Sequence, residues 1–531
     1  MKRFGRESET GPVEYKLRVD DPHKIEKIAS QMKYRLNEGG GEAWYELGVT
    51  DDGELIGIPP EIAMKSIENL RKAASLIPAS LKVIRKIRVK DRFVYEIYIR
   101  RIAGDPPIIT IPTIGNVDSG KSTLIGVLAY NILDDGRGSA MALIARHPHE
   151  IVSGRTSAIS TTLVGFDKDG KIVNKLIPTP SEDEVYIRSS KIVCFVDLAG
   201  HEKYFKTSLR GVCAYKPDYA MFVVAANAGP IGMAKEQFGV AVSLRIPIFC
   251  VITKIDLASE PRLSRTLEEV SKIAKLPSVN KIPYLVKGMD DVAVSAKHMT
   301  SGRIMPIFLV SNKTGSGLDL LSSFLNLLPP RNEWADKIDK PFKMYVEEKF
   351  NITGIGPVVH GLILQGSVKV GDDVYIGPLS DGSFEMVKVK SIEVHRVKVD
   401  RAIAGKHACL ALKNIEYRKI EKGMSLLDAE IRPEAVYAVD VNLFILNHPT
   451  MIRRGYEAVA HIMSARQTVK FVRMSKEPLR TGDTATVRLK FLYRPLYVTK
   501  GDKIVLREGR TRAIGIVEKV YNTWDGSSSK S

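Results

Sequence analysis

The chain has 531 residues, 44% of them apolar, with 79 Lys and Arg against 61 Asp and Glu for a net charge of +18. That length is too great for one core and implies roughly three or four globular domains. There is no apolar run of signal-peptide or bilayer-spanning length, so a membrane role is excluded and a soluble, cytoplasmic, monomeric protein is expected; the excess of cations exceeds what a nucleotide ligand needs and favours a polyanionic partner.

In chain order, residues 1–11 are polar and read as a frayed end. Asp21-Pro22 is a helix start, N-cap then N1, and Ile25, Ile28, Ala29 and Met32 share one apolar face. Gly39-Gly40-Gly41 leads into a strand over Ala43–Val49, and Asp51-Asp52-Gly53 reads as a hairpin turn. A second helix begins near Pro60. Strands around Leu81–Val89 and Phe93–Ile99 follow, carrying Lys82, Arg85, Lys86, Arg88, Lys90, Arg92, Arg100 and Arg101. These cations form either a nucleic-acid-binding face or the solvated face of an edge sheet. Asp105-Pro106-Pro107 is the linker.

From Ile108 to about Leu328 apolar strands alternate with helices. Lys191–Val196, Met221–Ala226 and Pro247–Thr253 are short continuous apolar runs, which suit a parallel sheet buried on both faces. Pro112 interrupts the first such strand, cannot donate a ladder bond, and reads as a bulge. Beyond Pro341 short strands with period-two alternation are broken by glycine turns, a barrel-like pattern, and a second such block begins near Ala435. The expected architecture is an α/β P-loop domain with a mostly parallel doubly wound sheet, followed by two all-β barrels and preceded by a small α/β domain. Its divisions fall at 1–106, 107–337, 338–434 and 435–522, with a disordered tail over 523–531. The cysteines, Cys194, Cys213, Cys250 and Cys409, are widely spaced and read as buried free thiols rather than as disulfides or a zinc site.

The chemistry starts at Gly115-Asn116-Val117-Asp118-Ser119-Gly120-Lys121-Ser122-Thr123, a G-x-x-x-x-G-K-S loop between a strand and a helix. The glycines let successive backbone N–H groups turn toward phosphate oxygens, Lys121 reaches the outer phosphates, and the Ser122 hydroxyl is placed to ligate Mg²⁺. Asp197-Leu198-Ala199-Gly200 follows the next parallel strand: Asp197 is expected to hold Mg²⁺ through a water and the Gly200 N–H to sense a γ-phosphate. Thr156, with Thr161 and Thr162 as alternatives, is the candidate to complete the metal shell. Thr253-Lys254-Ile255-Asp256 and Ser311-Asn312-Lys313 each follow a strand end. The Asp256 carboxylate accepts two hydrogen bonds from guanine that adenine does not offer, the stem of Lys254 lies over the ring, and a backbone N–H at Ser311-Asn312-Lys313 meets the guanine O6. GTP or GDP with Mg²⁺ is therefore the expected ligand.

These motifs, with Gly200-His201-Glu202-Lys203-Tyr204-Phe205-Lys206, resemble the translational GTPases related to elongation factor Tu. Further segments are similar to the GTP-binding protein 1 family of archaea and eukaryotes: Tyr34–Ala43, Asp135-Gly136-Arg137-Gly138, His149–Ser157, Ser311–Gly315, His448-Pro449-Thr450 and Arg507–Thr511. The resemblance implies a G domain with two β-barrels, GTP hydrolysis triggered on the ribosome, and a GTP form that binds aminoacyl-tRNA. It makes His201 the catalytic residue that orients the attacking water and Asp118 a ligand of a monovalent cation. Two positions depart from the elongation factor Tu pattern. Arg155 replaces an aliphatic residue of a hydrophobic gate, and Thr253 replaces an Asn that ties the guanine loop to the P-loop. The alternative functions are a GTP-switched RNA-decay adaptor that binds mRNA and exonuclease (exosome) complexes, and a metabolic GTPase coupled to sulfate activation, against which the barrels offer no catalytic cluster.

Overall fold

The computed structural model describes residues 4–145, 160–198, 215–230, 232–331, 334–508 and 511–523. The chain divides into two units, one holding the N-terminal and nucleotide-binding regions and the other, from Trp334 onward with Tyr215 and Lys216, holding the barrels.

The first unit opens with a four-stranded sheet in the order β1 (Val13–Lys16), β2 (Glu42–Leu47), β4 (Arg92–Arg101), β3 (Ala79–Val89). Helices α1 (Ile25–Glu38) and α2 (Pro60–Leu76) pack against it through Ile28, Met32, Leu36, Ile67 and Leu70. Asp21 does cap the first turn, accepting from the His23 N–H at 3.0 Å. Residues 4–11 are not frayed. Arg35, on the buried face of α1, donates to the carbonyls of Ser8, Glu9 and Gly11 and to the carboxylates of Glu7 and Glu14. Phe4 and Glu7 N–H groups also bond to Gly53 and Asp51 carbonyls. A buried guanidinium with several donors to satisfy thus collects the polar end of the chain.

A seven-stranded sheet follows. Its order is β10 (Ile282–Leu285), β11 (Ile304–Leu309), β9 (Ile248–Thr253), β8 (Ala220–Ala225), β5 (Ile108–Gly115), β7 (Lys191–Asp197), β6 (Ser160–Phe166). All pairs are parallel except β6 with β7. The central strands are buried along their whole length, as continuous apolar runs require. Phe249 packs on Phe308 and Phe324 in the core, and each is worth about 1.5–3 kcal/mol of burial. Pro112 makes no bulge: β5 keeps register against β7 and β8. Thr110 donates to Asp218 Oδ2 and accepts from the Asp218 N–H, so even positions of β5 face the approach to β8. Alternation sends Pro112's missing donor to that same side, where ladder pairing begins only at Thr113 with Met221.

The two sheets of this unit meet through buried charge. Glu42 receives Arg100 Nε at 3.1 Å and Lys191 Nζ at 2.8 Å, and all three side chains are buried. Arg100 also donates to the Asn326 carbonyl at 2.7 Å, and Lys191 to the Leu328 carbonyl at 2.5 Å. Lys297 pairs with Glu46, and Arg85 bridges Glu96 and Asp290. The basic residues of β3 and β4 are therefore not one face. Arg100 and Arg85 hold the two sheets together, while Lys82, Lys86, Arg88 and Arg92 are exposed.

In the second unit two six-stranded barrels close. The strands Lys343–Tyr345, Ser425–Asp428, Asp373–Gly377, Glu385–Val394, His407–Lys413 and Gly356–Gln365 pair in that order, and the last returns to the first. The other circuit is Ala438–Asn447, Thr484–Phe491, Ala465–Met474, Glu457–Ile462, Lys503–Glu508 and Thr511–Tyr521. Tyr345 links the barrels through its hydroxyl, which donates to the Tyr497 carbonyl at 2.9 Å. Among the described residues no helix is long and apolar enough to cross a membrane.

Candidate functional site

The loops after the carboxyl ends of β5, β9 and β11 converge on one cavity of about 620 Å³. Parallel strands buried on both faces put their connecting loops at this edge, which is where such sheets bind ligands. Helix α3 (Lys121–Tyr130) begins at the cavity and turns its positive end toward it.

Two glycines make the loop before α3. Gly115 has φ +148°, and a Cβ there would lie 2.2 Å from the Val223 carbonyl; Gly120 has φ +82°. Neither position tolerates a side chain without strain. The Gly115 N–H is held by Gln237 Oε1 at 2.8 Å. Lys121 folds onto its own loop, donating to the carbonyls of Gly115 at 3.1 Å and Asn116 at 2.6 Å. Burial lowers its pKa to about 8 against the opposing pull of Asp197 and Asp118. Val117, Asp118, Gly120, Lys121, Ser122 and Thr123 line the cavity, with Asp118 at φ +60°. Ser119 is turned inward, its hydroxyl on the Asn116 carbonyl.

Ser122 Oγ donates to Asp197 Oδ2 at 2.5 Å, while the Thr113 hydroxyl holds Asp197 Oδ1 at 2.9 Å. A hydroxyl and a carboxylate meeting at a phosphate loop are the hard oxygen donors that suit Mg²⁺, so the residues present fit that ion. At the end of the cavity formed by the loops after β9 and β11, the Ser311 hydroxyl donates to Asp256 Oδ1 at 2.6 Å and accepts from the Thr314 N–H at 3.1 Å, which fixes the carboxylate at the cavity wall. Asn312, Lys313 and Lys254 line the same wall, and Asn312 Oδ1 is buried without a hydrogen-bond partner. Thr253 Oγ1 donates to the Ser119 carbonyl at 2.6 Å, so a hydroxyl does tie the two loops.

The two alternatives to Thr156 are not brought to the cavity. Thr161 and Thr162 lie in β6, opposite Val196 and Phe195, and neither lines it. Thr156, Arg155, Gly200, His201, Cys213 and the tail beyond Thr523 lie outside the described residues. Cys194 and Cys250 are buried free thiols and Cys409 is half-buried.

One wall was unassigned by motif reasoning. Asp134, Asp135, Gly136, Arg137 and Gly138 line the cavity, braced by Asp134 and Asp135 carboxylates on the N–H groups of Gly136, Arg137 and Ala140, and by the Asp134 N–H on the Asn312 carbonyl. The signal was the Asp-Asp-Gly-Arg-Gly run, an Asx-turn pattern with both glycines at positive φ. Gln237 and Thr113 act through the backbone and a carboxylate respectively, and carried no sequence signal.

Residues 106–330 match the family model of the elongation factor Tu GTP binding domain, and residues 356–427 that of elongation factor Tu domain 2. GTP-binding protein 1 of Xenopus laevis is 39% identical over 505 residues, spanning 94% of this chain and 77% of that protein. GTP-binding protein 2 of Homo sapiens is 37% identical over 528 residues, spanning 97% and 88%. Solved structures with a similar fold include the following. Translation elongation factor SelB of Methanococcus maripaludis, in complex with the GTP analogue GppNHp, has a TM-score of 0.57 at 20% identity, covering 79% of this chain and 80% of that one. Bacterial selenocysteine-specific elongation factor EF-Sec has a TM-score of 0.56 at 23% identity, covering 77% of this chain and 58% of that one. The GTP-bound GTPase-like domain of S. cerevisiae Ski7 has a TM-score of 0.59 at 14% identity, covering 78% and 97%. The cavity thus lies in an elongation factor Tu-type GTP-binding domain, and the chain belongs to the GTP-binding protein 1 and 2 family of GTPases.

Proposed function

We propose that this GTPase is a translational factor: it binds GTP with Mg²⁺ and aminoacyl-tRNA, acts in the cytoplasm as a monomer, and hydrolyses GTP when activated on the ribosome. Its domains are 1–106, 107–337, 338–434 and 435–522. The observation that carries the reading is the Ser311–Asp256 bond at the cavity wall, a preset acceptor for guanine, within a chain whose second unit is a pair of closed barrels. The names of the elongation factors with similar folds and the net charge of +18 support a tRNA and ribosome partner.

In this reading the loop from Gly115 to Thr123 cradles the phosphates and Lys121 leaves its backbone carbonyls for them. Ser122 and Asp197 hold the ion, with Thr156 completing its shell. An Mg²⁺ held there would supply charge neutralisation to the bound phosphates. The Gly200 N–H senses the γ-phosphate and His201 orients the attacking water. Asp256 selects guanine, Asn312 and Lys313 flank it, and Lys254 covers the base. Asp118, at the cavity, is assigned to a monovalent cation.

A second reading rests on β3. Lys82, Lys86, Arg88 and Arg92 are exposed on or beside an edge strand, which suits an RNA-decay adaptor gripping RNA and exonuclease complexes. Binding in the GTP and GDP states separates the two. The translational reading expects aminoacyl-tRNA to bind the GTP form more tightly; equal binding to both forms, with recovery of exonuclease complexes instead of ribosomes, supports the adaptor.

A further inference from the structure

The first barrel gathers three potential metal ligands that the nucleotide chemistry does not use. Glu347 follows the strand Lys343–Tyr345, His360 lies in Gly356–Gln365, and His407 opens His407–Lys413. Strand pairing fixes their places. The Glu347 N–H bonds to the His360 carbonyl at 2.8 Å, and His360 is opposite Cys409, so His407 is its diagonal neighbour on the same face. Glu347 Oε2 lies 3.6 Å from His360 Nδ1 and 3.7 Å from His407 Nδ1, and one donor atom from each residue falls within 4.8 Å of the others.

Those separations discriminate between two arrangements. They exceed the reach of an N–H···O hydrogen bond. They lie close to the ~3.4 Å edge of a tetrahedron whose metal–ligand bonds are ~2.0–2.1 Å. The imidazole of His407 is nine-tenths buried, and neither of its ring nitrogens has a hydrogen-bond partner. The Tyr215 ring stacks on it with centroids 4.6 Å apart, and His360 stacks at 5.5 Å.

We propose that Glu347, His360 and His407 form a binding site for a borderline divalent transition metal, Zn²⁺ foremost, separate from the Mg²⁺ site at the phosphate loop. Two imidazoles and one carboxylate are a ligand set for Zn²⁺ rather than for Mg²⁺, which prefers oxygen and keeps its waters. Burial, with His360 and His395 nearby, pushes the His407 imidazole far below its usual titration range, so it is neutral and one ring nitrogen has a lone pair available for a metal. Three protein ligands leave a fourth position for water. The ion would fix the ring on which Tyr215 rests.

The test is a titration of metal-free full-length chain with Co²⁺, its nucleotide site filled beforehand with GDP and Mg²⁺. The proposal expects one saturable equivalent with the visible d–d absorption of a four- or five-coordinate ion, displaced by Zn²⁺. His407→Ala and Glu347→Gln should each weaken binding on the order of a hundredfold or more. Metal-free circular dichroism and GDP binding should stay at wild-type values. Should His407→Ala fail to fold, the near-isosteric Glu347→Gln decides the matter. Absence of the band in the wild-type chain, or its persistence in a folded Glu347→Gln variant, overturns the proposal.

Discussion

The Thr253 hydroxyl donates to the Ser119 carbonyl across 2.6 Å, joining the loop after β9 to the glycine loop between β5 and α3. Both residues are buried, so no water replaces that bond when it is removed. Thr253→Val keeps the shape and deletes the donor. It should cost about 1–2 kcal/mol of stability and speed GDP release roughly fivefold or more. Stopped-flow release of a fluorescent GDP checks this; an unchanged rate would mean that the two loops are held elsewhere.

Lys121 gives a pH dependence with a definite sign. Its pKa without ligand is about 8, lowered chiefly by burial. Phosphate oxygens favour the charged ammonium and raise that value on binding. Below pH 8 the lysine is already charged and binding takes up no proton. Above it binding must add one, so affinity falls as pH rises. At pH 8.5 about 0.75 proton should be taken up per GDP, against little at pH 6.5. Calorimetry in buffers of different ionisation enthalpy measures the number directly, and equal uptake at both pH values contradicts the assignment.

Asp256 is fixed by Ser311 and presents acceptors at the cavity wall. Asp256→Asn replaces one acceptor with a donor. GTP affinity should fall by about tenfold to a hundredfold, and xanthosine triphosphate, whose ring offers an acceptor there, should bind in its place. Competition between the two nucleotides decides the point, and a variant that still prefers GTP would remove Asp256 from base selection.

Glu42 is the counter-charge of two buried cations, Arg100 and Lys191. Glu42→Gln leaves both without it and should destabilise the first unit by about 3–5 kcal/mol. Glu68→Gln, breaking the exposed pair with Lys72, should leave the unfolding midpoint essentially where it is, because solvent screens that pair. Denaturant unfolding of the two variants side by side makes the comparison; similar small losses would show that the sheets are held by apolar contact alone.

The strands of the nucleotide-binding sheet were legible because burial on both faces writes continuous apolar runs, and the binding loops follow those runs at fixed offsets. Ser122, Asp197, Asp256 and Ser311 could therefore be placed from spacing, and the Thr253 departure could be read as a surviving hydroxyl. What escaped were polar residues whose partners lie far away in sequence. Arg100 and Lys191 look like solvated cations until Glu42 and the carbonyls of Asn326 and Leu328 are seen around them. Arg35 likewise gives no sign that it will pin residues 7–11. Pro112 suggested a bulge because sequence does not show which neighbour its missing donor would face. His360 and His407 come from two strands and Glu347 from just beyond a third, and only the closure of the barrel brings them together.

The central claim, a GTPase triggered on the ribosome, is tested most directly by the rate of GTP hydrolysis with and without ribosomes and aminoacyl-tRNA, in the wild-type chain and in His201→Ala. A slow basal rate is expected, with a large stimulation when both are present and loss of that stimulation in His201→Ala with GTP affinity unchanged. A wild-type rate indifferent to ribosomes and aminoacyl-tRNA would contradict it.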